Sequence, residues 1–310
     1  LQKDIPLALR RRLELEKEIC ALWPREYPHT PEAALAQLQA CFTDFSAQEL
    51  EQLRDLDQVE WAYVNGQVRY KNNFLSNLIK TQPRFESRLR DPKRLRYKQE
   101  NAAMLNEIVA RMKREGHLSA RIHMRSTMTI AQGAKRAGQM VTAHLPLPME
   151  YAQVKRFHLL SCSHPDAIVA PGDFPQRTIC FRAVPDRPFT VEYTYETHMQ
   201  YADPDPALVC DQQPTYYTEE YAPHMTFTPY LRMLAREIVG DEKNPLRKAR
   251  RIYDFITTKV TYCYMRAYMT MPNVSEYAAA CMKGDCGVQA LLFITLCRIA
   301  GVPARWQSGL

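Results

Sequence analysis

The residues best suited to chemistry lie near the C-terminal end of the sequence, around Cys286. Gly284 and Asp285 precede this cysteine, and Gly287 follows it. Asp285 is a good N-cap residue, and the stretch after Gly287 is apolar almost throughout, so the pattern predicts a buried helix that begins at Cys286. The start of a helix carries about half a positive charge and free N–H groups, which favour a thiolate. The pattern therefore predicts a nucleophilic cysteine with donors for an oxyanion beside it.

Glycine use also draws attention to this end of the chain. The sequence has 10 glycines, and four of them lie within the last 27 residues. Gly284 and Gly287 flank the thiol without bulk, so we expect them to leave room for a substrate. Gly301 falls where a left-handed residue ends a helix, and Pro303 prevents continuation, so residues 302–307 are expected to be extended and to enter a sheet.

The cysteines and tyrosines of this region also allow other interpretations. A structural core cysteine is the alternative for Cys286, but the glycines, the cap and the helix together favour a nucleophile. A metal site at Cys281, Cys286 and Cys297 is disfavoured because the spacing is irregular and no histidine is near. Tyr262 and Tyr264 either line a cleft or pack in the core or on the surface.

The stretch Gly284-Asp285-Cys286-Gly287, the apolar helix and the following Arg298 to Arg305 resemble the core of the transglutaminase-like superfamily. The resemblance is strongest over residues 245–310, and a preceding β-sandwich is typical of bacterial members. It implies a papain-like Cys-His-Asp arrangement, with His and Asp on strands after the nucleophile helix. No histidine follows Cys286, so we expect both partners beyond residue 310, and a chain truncated after the nucleophile helix that is inactive alone.

Two classes of function remain open at this stage. The first is acyl transfer on protein or peptide amides through a thioester at Cys286, as in a protease, an amidase or a transglutaminase. The alternative is a non-catalytic binding module that retains the transglutaminase-like fold. Neither metal nor organic cofactor is implied, because the chemistry needs a thiolate, a base and oxyanion donors.

Composition excludes several other classes of protein. Apolar residues make up 46% of the chain, as in globular proteins, and the net charge of +7 is spread along the sequence, so we expect no nucleic-acid partner. The apolar run at residues 290–297 is too short to span a membrane. Nine cysteines without a disulfide or zinc framework favour the cytoplasm. The chain does not begin with Met, so we expect a trimmed N-terminus, which leaves a secreted or cell-envelope location open.

The elements that must position Cys286 form an α+β protein. Residues 1–118 are predicted to be mainly helical, with a capping box at Ser46 to Glu49 and a hairpin turn at Asn65-Gly66. Alternating apolar residues predict an antiparallel β-sandwich over residues 119–202. A proline-rich linker over 203–228 then leads to a transglutaminase-like core over 229–310.

Overall fold

A computed structural model of the chain describes residues 5–91, 93–210 and 212–306. The chain divides into two compact units. One contains the residues up to Arg96 together with Asp205–Trp306, and the other contains Tyr97–Pro204. The predicted α+β class is confirmed, because helices fill the N-terminal region and antiparallel sheets follow it.

The N-terminal part of the first unit is helical and includes one hairpin. Its elements are α1 (Leu7–Glu26), α2 (Pro31–Cys41), α3 (Ala47–Asp55), β1 (Trp61–Val64), β2 (Gln67–Tyr70) and α4 (Phe74–Thr81). Ser46 caps α3 by accepting a hydrogen bond of 3.1 Å from the Glu49 N–H. Asn65 and Gly66 both have positive φ, as a tight two-residue hairpin turn requires. The hairpin turn and the Ser46 half of the capping box are therefore confirmed, whereas the Glu49 carboxylate binds Arg88 instead of completing the box.

The second unit contains two small sheets that share a core. Its elements are α5 (Lys93–Glu115), whose residues from Tyr97 onward belong to this unit, β3 (His117–Met128), β4 (Val141–Pro146), β5 (Val154–Cys162), β6 (Ile168–Val169), β7 (Thr178–Ala183) and β8 (Phe189–Gln200). The strands form antiparallel sheets in the orders β3-β8-β5 and β4-β7-β6. Ile179 and Phe181 of one sheet share a buried cluster with Phe189 and Val191 of the other. The two sheets therefore form the antiparallel sandwich that the alternation predicts.

The C-terminal part of the first unit surrounds one apolar helix. Its elements are α6 (Pro229–Val239), α7 (Pro245–Lys259), β9 (Thr261–Tyr262), α8 (Val274–Cys281), β10 (Lys283–Gly284) and α9 (Cys286–Ile299). Helix α9 packs against α6, α7 and α8 around a core that includes Leu231, Ile252, Val274 and Leu292. In the described part of the chain, every helix falls short of the length or the apolar character that crossing a bilayer requires.

The proline-rich segment before α6 is fastened to these helices. The Arg298 Nη1 donates to the Glu219 carbonyl at 2.8 Å, and the Ser275 Oγ donates to the His224 carbonyl at 2.7 Å. The Asn244 amide, at the start of α7, donates to the Pro206 carbonyl at 2.8 Å. The segment therefore follows the surface of α7, α8 and α9 although it contains almost no regular structure.

The predicted entry into a sheet after α9 is wrong over residues 302–306, which belong to no strand. The Ala304 N–H donates to the Tyr217 carbonyl at 3.1 Å, and the Arg298 Nε donates to the Ala304 carbonyl at 2.8 Å. The proline-rich segment and α9 thus bind the backbone groups that a neighbouring strand would need. Residue 307 lies outside the described residues. The left-handed residue that ends α9 is confirmed, since Gly301 has a φ of 75°.

Replacing Leu292 by alanine tests the burial of α9. Leu292 is 0% exposed, so we expect L292A to lower the free energy of unfolding by about 2–5 kcal/mol through lost apolar burial and a residual cavity. Tryptophan fluorescence in urea reports on this unit, because Trp23, Trp61 and Trp306 all belong to it. The control is L56A at a side chain that is 64% exposed. Equal losses for the two variants would contradict the burial of α9.

Candidate active site

Cys286 is the first residue of α9, and its side chain is exposed. Asp285 is the N-cap residue, and its Oδ1 accepts a hydrogen bond of 3.1 Å from the Val288 N–H. The predicted cap and the predicted helix start are therefore confirmed. A thiol at this position can reach a ligand from solvent while the rest of α9 stays inside the core. The role of Cys286 as a nucleophile stays a prediction.

Tyr268, which the sequence analysis did not single out, is bound to the start of α9. It lies in a short 3₁₀ turn (Tyr268–Thr270), and its hydroxyl donates to Oδ1 of Asp285, the same oxygen that caps the helix. Burial raises the pKa of Tyr268 well above its usual range, and the hydrogen bond and the negative charge of Asp285 add to the effect. Tyr268 therefore stays protonated at neutral pH and holds the capping carboxylate in place.

The two glycines beside the thiol serve packing, which corrects the expectation that they leave room for a substrate. A Cβ atom at Gly287 would overlap the hydroxyl oxygen of Tyr268 and lie 3.0 Å from its Cζ atom. A Cβ atom at Gly284 would lie 2.7 Å from Cγ1 of Val288. The space beside both glycines is thus filled by the protein's own side chains. Sequence alone could not reveal the contact at Gly287, because Tyr268 belongs to a separate segment earlier in the chain.

Two other cysteines of this unit are packing residues. Cys263 and Cys297 are each 1% exposed. Burial raises the pKa of Cys263 to about 11 and that of Cys297 to about 12. Both thiols therefore stay neutral at pH 7, and both are core residues.

Two tyrosines and a lysine lie beside the strand that leads to Cys286. Tyr262 of β9 pairs in parallel with Gly284 of β10. Gly284 lies two residues before Cys286. Tyr262 and Tyr264 are 41% and 39% exposed, so neither is a core residue. The Lys80 Nζ of α4 lies 4.9 Å from the ring centroid of Tyr262 and 3.8 Å from that of Tyr264. The N-terminal helices thus place a positive charge on the strand β9 that pairs with β10.

Asn77 fixes α4 against the segment that follows β9. Its side chain is 4% exposed; its Nδ2 donates to the Tyr264 carbonyl at 2.9 Å, and its Oδ1 accepts from the Tyr264 N–H at 2.7 Å. One side-chain amide therefore binds both backbone groups of Tyr264, as a neighbouring strand would. A second link joins the Lys283 Nζ to Oδ2 of Asp57 at 2.9 Å. The N-terminal helices are thereby attached to both β9 and β10.

The described residues place no histidine in hydrogen-bonding contact with Cys286. His224 lies at a different part of α9, because its carbonyl accepts from Ser275, whose Oγ also contacts Oγ1 of Thr295 at 2.8 Å. Thr295 is nine residues beyond Cys286, or about 13 Å along the helix axis. Burial lowers the pKa of His224. The described site therefore supplies a thiol, a helix start and a phenol.

The comparison with protein families agrees with the sequence resemblance. Residues 232–310 match the transglutaminase-like superfamily. No curated protein matches the chain. The chain is similar in structure to a candidate cysteine protease from Cytophaga hutchinsonii, with a TM-score of 0.40 and 17% sequence identity, over 60% of this chain and 67% of that one.

Replacing Gly287 by alanine tests the contact with Tyr268. Alanine favours a helix over glycine by about 1 kcal/mol, but the overlap with the Tyr268 ring should outweigh this and lower the free energy of unfolding by about 1–3 kcal/mol. The matched background is Y268A, in which the ring is absent and G287A should cost no stability. Tryptophan fluorescence in urea measures the free energy of unfolding that G287A costs in the natural protein and in the Y268A variant. An equal cost in the two backgrounds would contradict the contact.

Proposed function

We propose, from the match of residues 232–310 to the transglutaminase-like superfamily and from the position of Cys286, that the protein transfers acyl groups from protein or peptide amides through a thioester at Cys286. The observation that carries the proposal is an exposed thiol on the first residue of a buried helix. The first N–H groups of a helix have no acceptor within it. Asp285 binds the N–H of Val288, which leaves those of Cys286 and Gly287 for a developing oxyanion.

The proposed reaction proceeds in two halves. The thiolate attacks the amide carbonyl carbon, and the negative charge that develops on the carbonyl oxygen is stabilised by the helix start. The C–N bond then breaks, the amine leaves with a proton from a general acid, and a thioester remains. Water resolves the thioester to a carboxylic acid and free thiol, whereas an amine resolves it to a new amide. Whether water or an amine reaches the thioester decides whether the protein acts as a protease or as a transglutaminase.

The general acid and its orienting carboxylate are part of the proposal. The family resemblance implies a histidine and an aspartate on strands after the nucleophile helix. Residues 287–310 contain no histidine, so neither role is assigned to one of them. The protein substrate, rather than a metal or organic cofactor, is the partner that this chemistry requires.

A binding module that retains the fold is the second candidate function. One observation favours it: among the described residues, the histidine nearest along the chain, His224, is bound through its carbonyl to Ser275 of α8, whose hydroxyl contacts Thr295 of α9, and not to Cys286. Such a module would bind peptides in the same place but form no covalent intermediate. The two candidates therefore differ in a single measurable product, the thioester.

Thioester trapping tests the proposal. The full-length natural protein is mixed with a peptide amide and analysed by intact mass spectrometry. We expect an added acyl mass that hydroxylamine removes and that C286A abolishes, because the thioester sulfur is gone. The control is C281A, which changes another exposed cysteine at the end of α8 and should keep the acyl mass. An acyl mass that persists in C286A would contradict the assignment, and its absence from the unaltered protein would favour the binding module.

A further inference from the structure

The cluster of Lys80, Tyr262 and Tyr264, which we name the lysine–tyrosine cluster, is open to solvent, and its Tyr262 is the strand partner of Gly284, two residues before Cys286. All three side chains are exposed to a large degree, and the two tyrosine rings are 6.3 Å apart at an interplanar angle of 75°. The ammonium group contacts the faces of both rings. Cation–π contacts of this kind hold the lysine in place without using a carboxylate.

The charge on Lys80 is available to a ligand. Among the described residues, no carboxylate oxygen lies within 4.0 Å of the Lys80 Nζ. Lys283, by contrast, is neutralised by Asp57 at 2.9 Å. An ammonium group has three hydrogen-bond donors, and a ring face does not satisfy them as a carboxylate does. The cluster therefore presents an uncompensated cation framed by two aromatic surfaces.

The cluster is also held at a fixed place relative to the thiol. Tyr262 is the strand partner of Gly284, and the Cys263 N–H donates to the Gly284 carbonyl at 3.2 Å. Asn77 binds both backbone groups of Tyr264 and lies on the same helix as Lys80, one turn before it. Two separate sets of hydrogen bonds thus fix the lysine, the rings and the start of α9 in one rigid arrangement.

We infer that the lysine–tyrosine cluster is a substrate subsite that recognises a carboxylate close to the amide bound at Cys286. This inference rests on the proposed function, because it names the substrate class for that same site. Lys80 pairs with the carboxylate, and the rings of Tyr262 and Tyr264 contact the apolar part of the same residue. The carboxylate belongs either to an acidic side chain or to the C-terminus of the peptide.

Peptide binding to the C286A chain tests the subsite without any need for catalysis. The probes are fluorescein-labelled hexapeptides with a glutaminyl residue that is flanked on both sides by glutamate, by serine as the neutral residue, or by lysine. Each peptide is made with a free and with an amidated C-terminus. Fluorescence anisotropy should show that a carboxylate improves the dissociation constant about two- to fivefold over the neutral peptide, as expected for an exposed ion pair. The peptide series also shows which of the two carboxylates is recognised.

Two substitutions at Lys80 separate charge from packing. K80M should abolish the preference for the carboxylate, whereas K80R should keep it, because arginine also pairs with carboxylates and stacks on aromatic rings. Lys80 is exposed, so both variants should fold, which tryptophan fluorescence verifies. Equal affinity for acidic and neutral peptides, or a preference that survives in K80M, would overturn the subsite.

The same peptides distinguish this inference from the proposed function. If acidic peptides bind through Lys80 but the natural protein forms no thioester with them, the subsite stands and acyl transfer is wrong. If the natural protein forms thioesters equally with all peptides and K80M changes nothing, acyl transfer stands and the subsite is wrong.

Discussion

Helix α9 is apolar around nearly all of its circumference, so it has to be enclosed, and this constraint organises the first unit. Helices α6, α7 and α8 surround it, and Val288, Leu292 and Leu296 are fully buried in the core they share. The helix start cannot be enclosed in the same way, because its N–H groups need acceptors. Asp285 supplies one acceptor, and Cys286 then lies at the surface with the dipole of α9 behind it.

The features of this region that sequence could predict depend on neighbouring residues. The cap at Asp285, the start of α9 at Cys286 and the left-handed Gly301 each follow from the preference of one residue type for one backbone position. The same holds for the hairpin turn at Asn65-Gly66. The resemblance of the segment to the transglutaminase-like superfamily also rests on contiguous residues, and the match over residues 232–310 confirms it.

What sequence could not predict depends on contacts between distant residues. Asn77 and Tyr264 are 187 positions apart, and no periodicity or cap connects them, yet their hydrogen bonds place Lys80 beside β9, the partner of the strand that leads to the thiol. The packing of Tyr268 on Gly287 reversed the expected role of that glycine for the same reason. The strand expected after α9 does not form over residues 302–306, where the Ala304 N–H donates to the Tyr217 carbonyl of the proline-rich segment.

The central claim is that the start of α9 activates Cys286, and the alkylation rate of each cysteine tests it most directly. The folded chain is treated with limiting iodoacetamide at pH 7, and labelled peptides are quantified by mass spectrometry over time. The account predicts that Cys286 reacts faster than the exposed Cys20 and Cys210, and that urea removes the difference because the helix is lost. A folded chain in which Cys20 or Cys210 reacts as fast as Cys286 would contradict it.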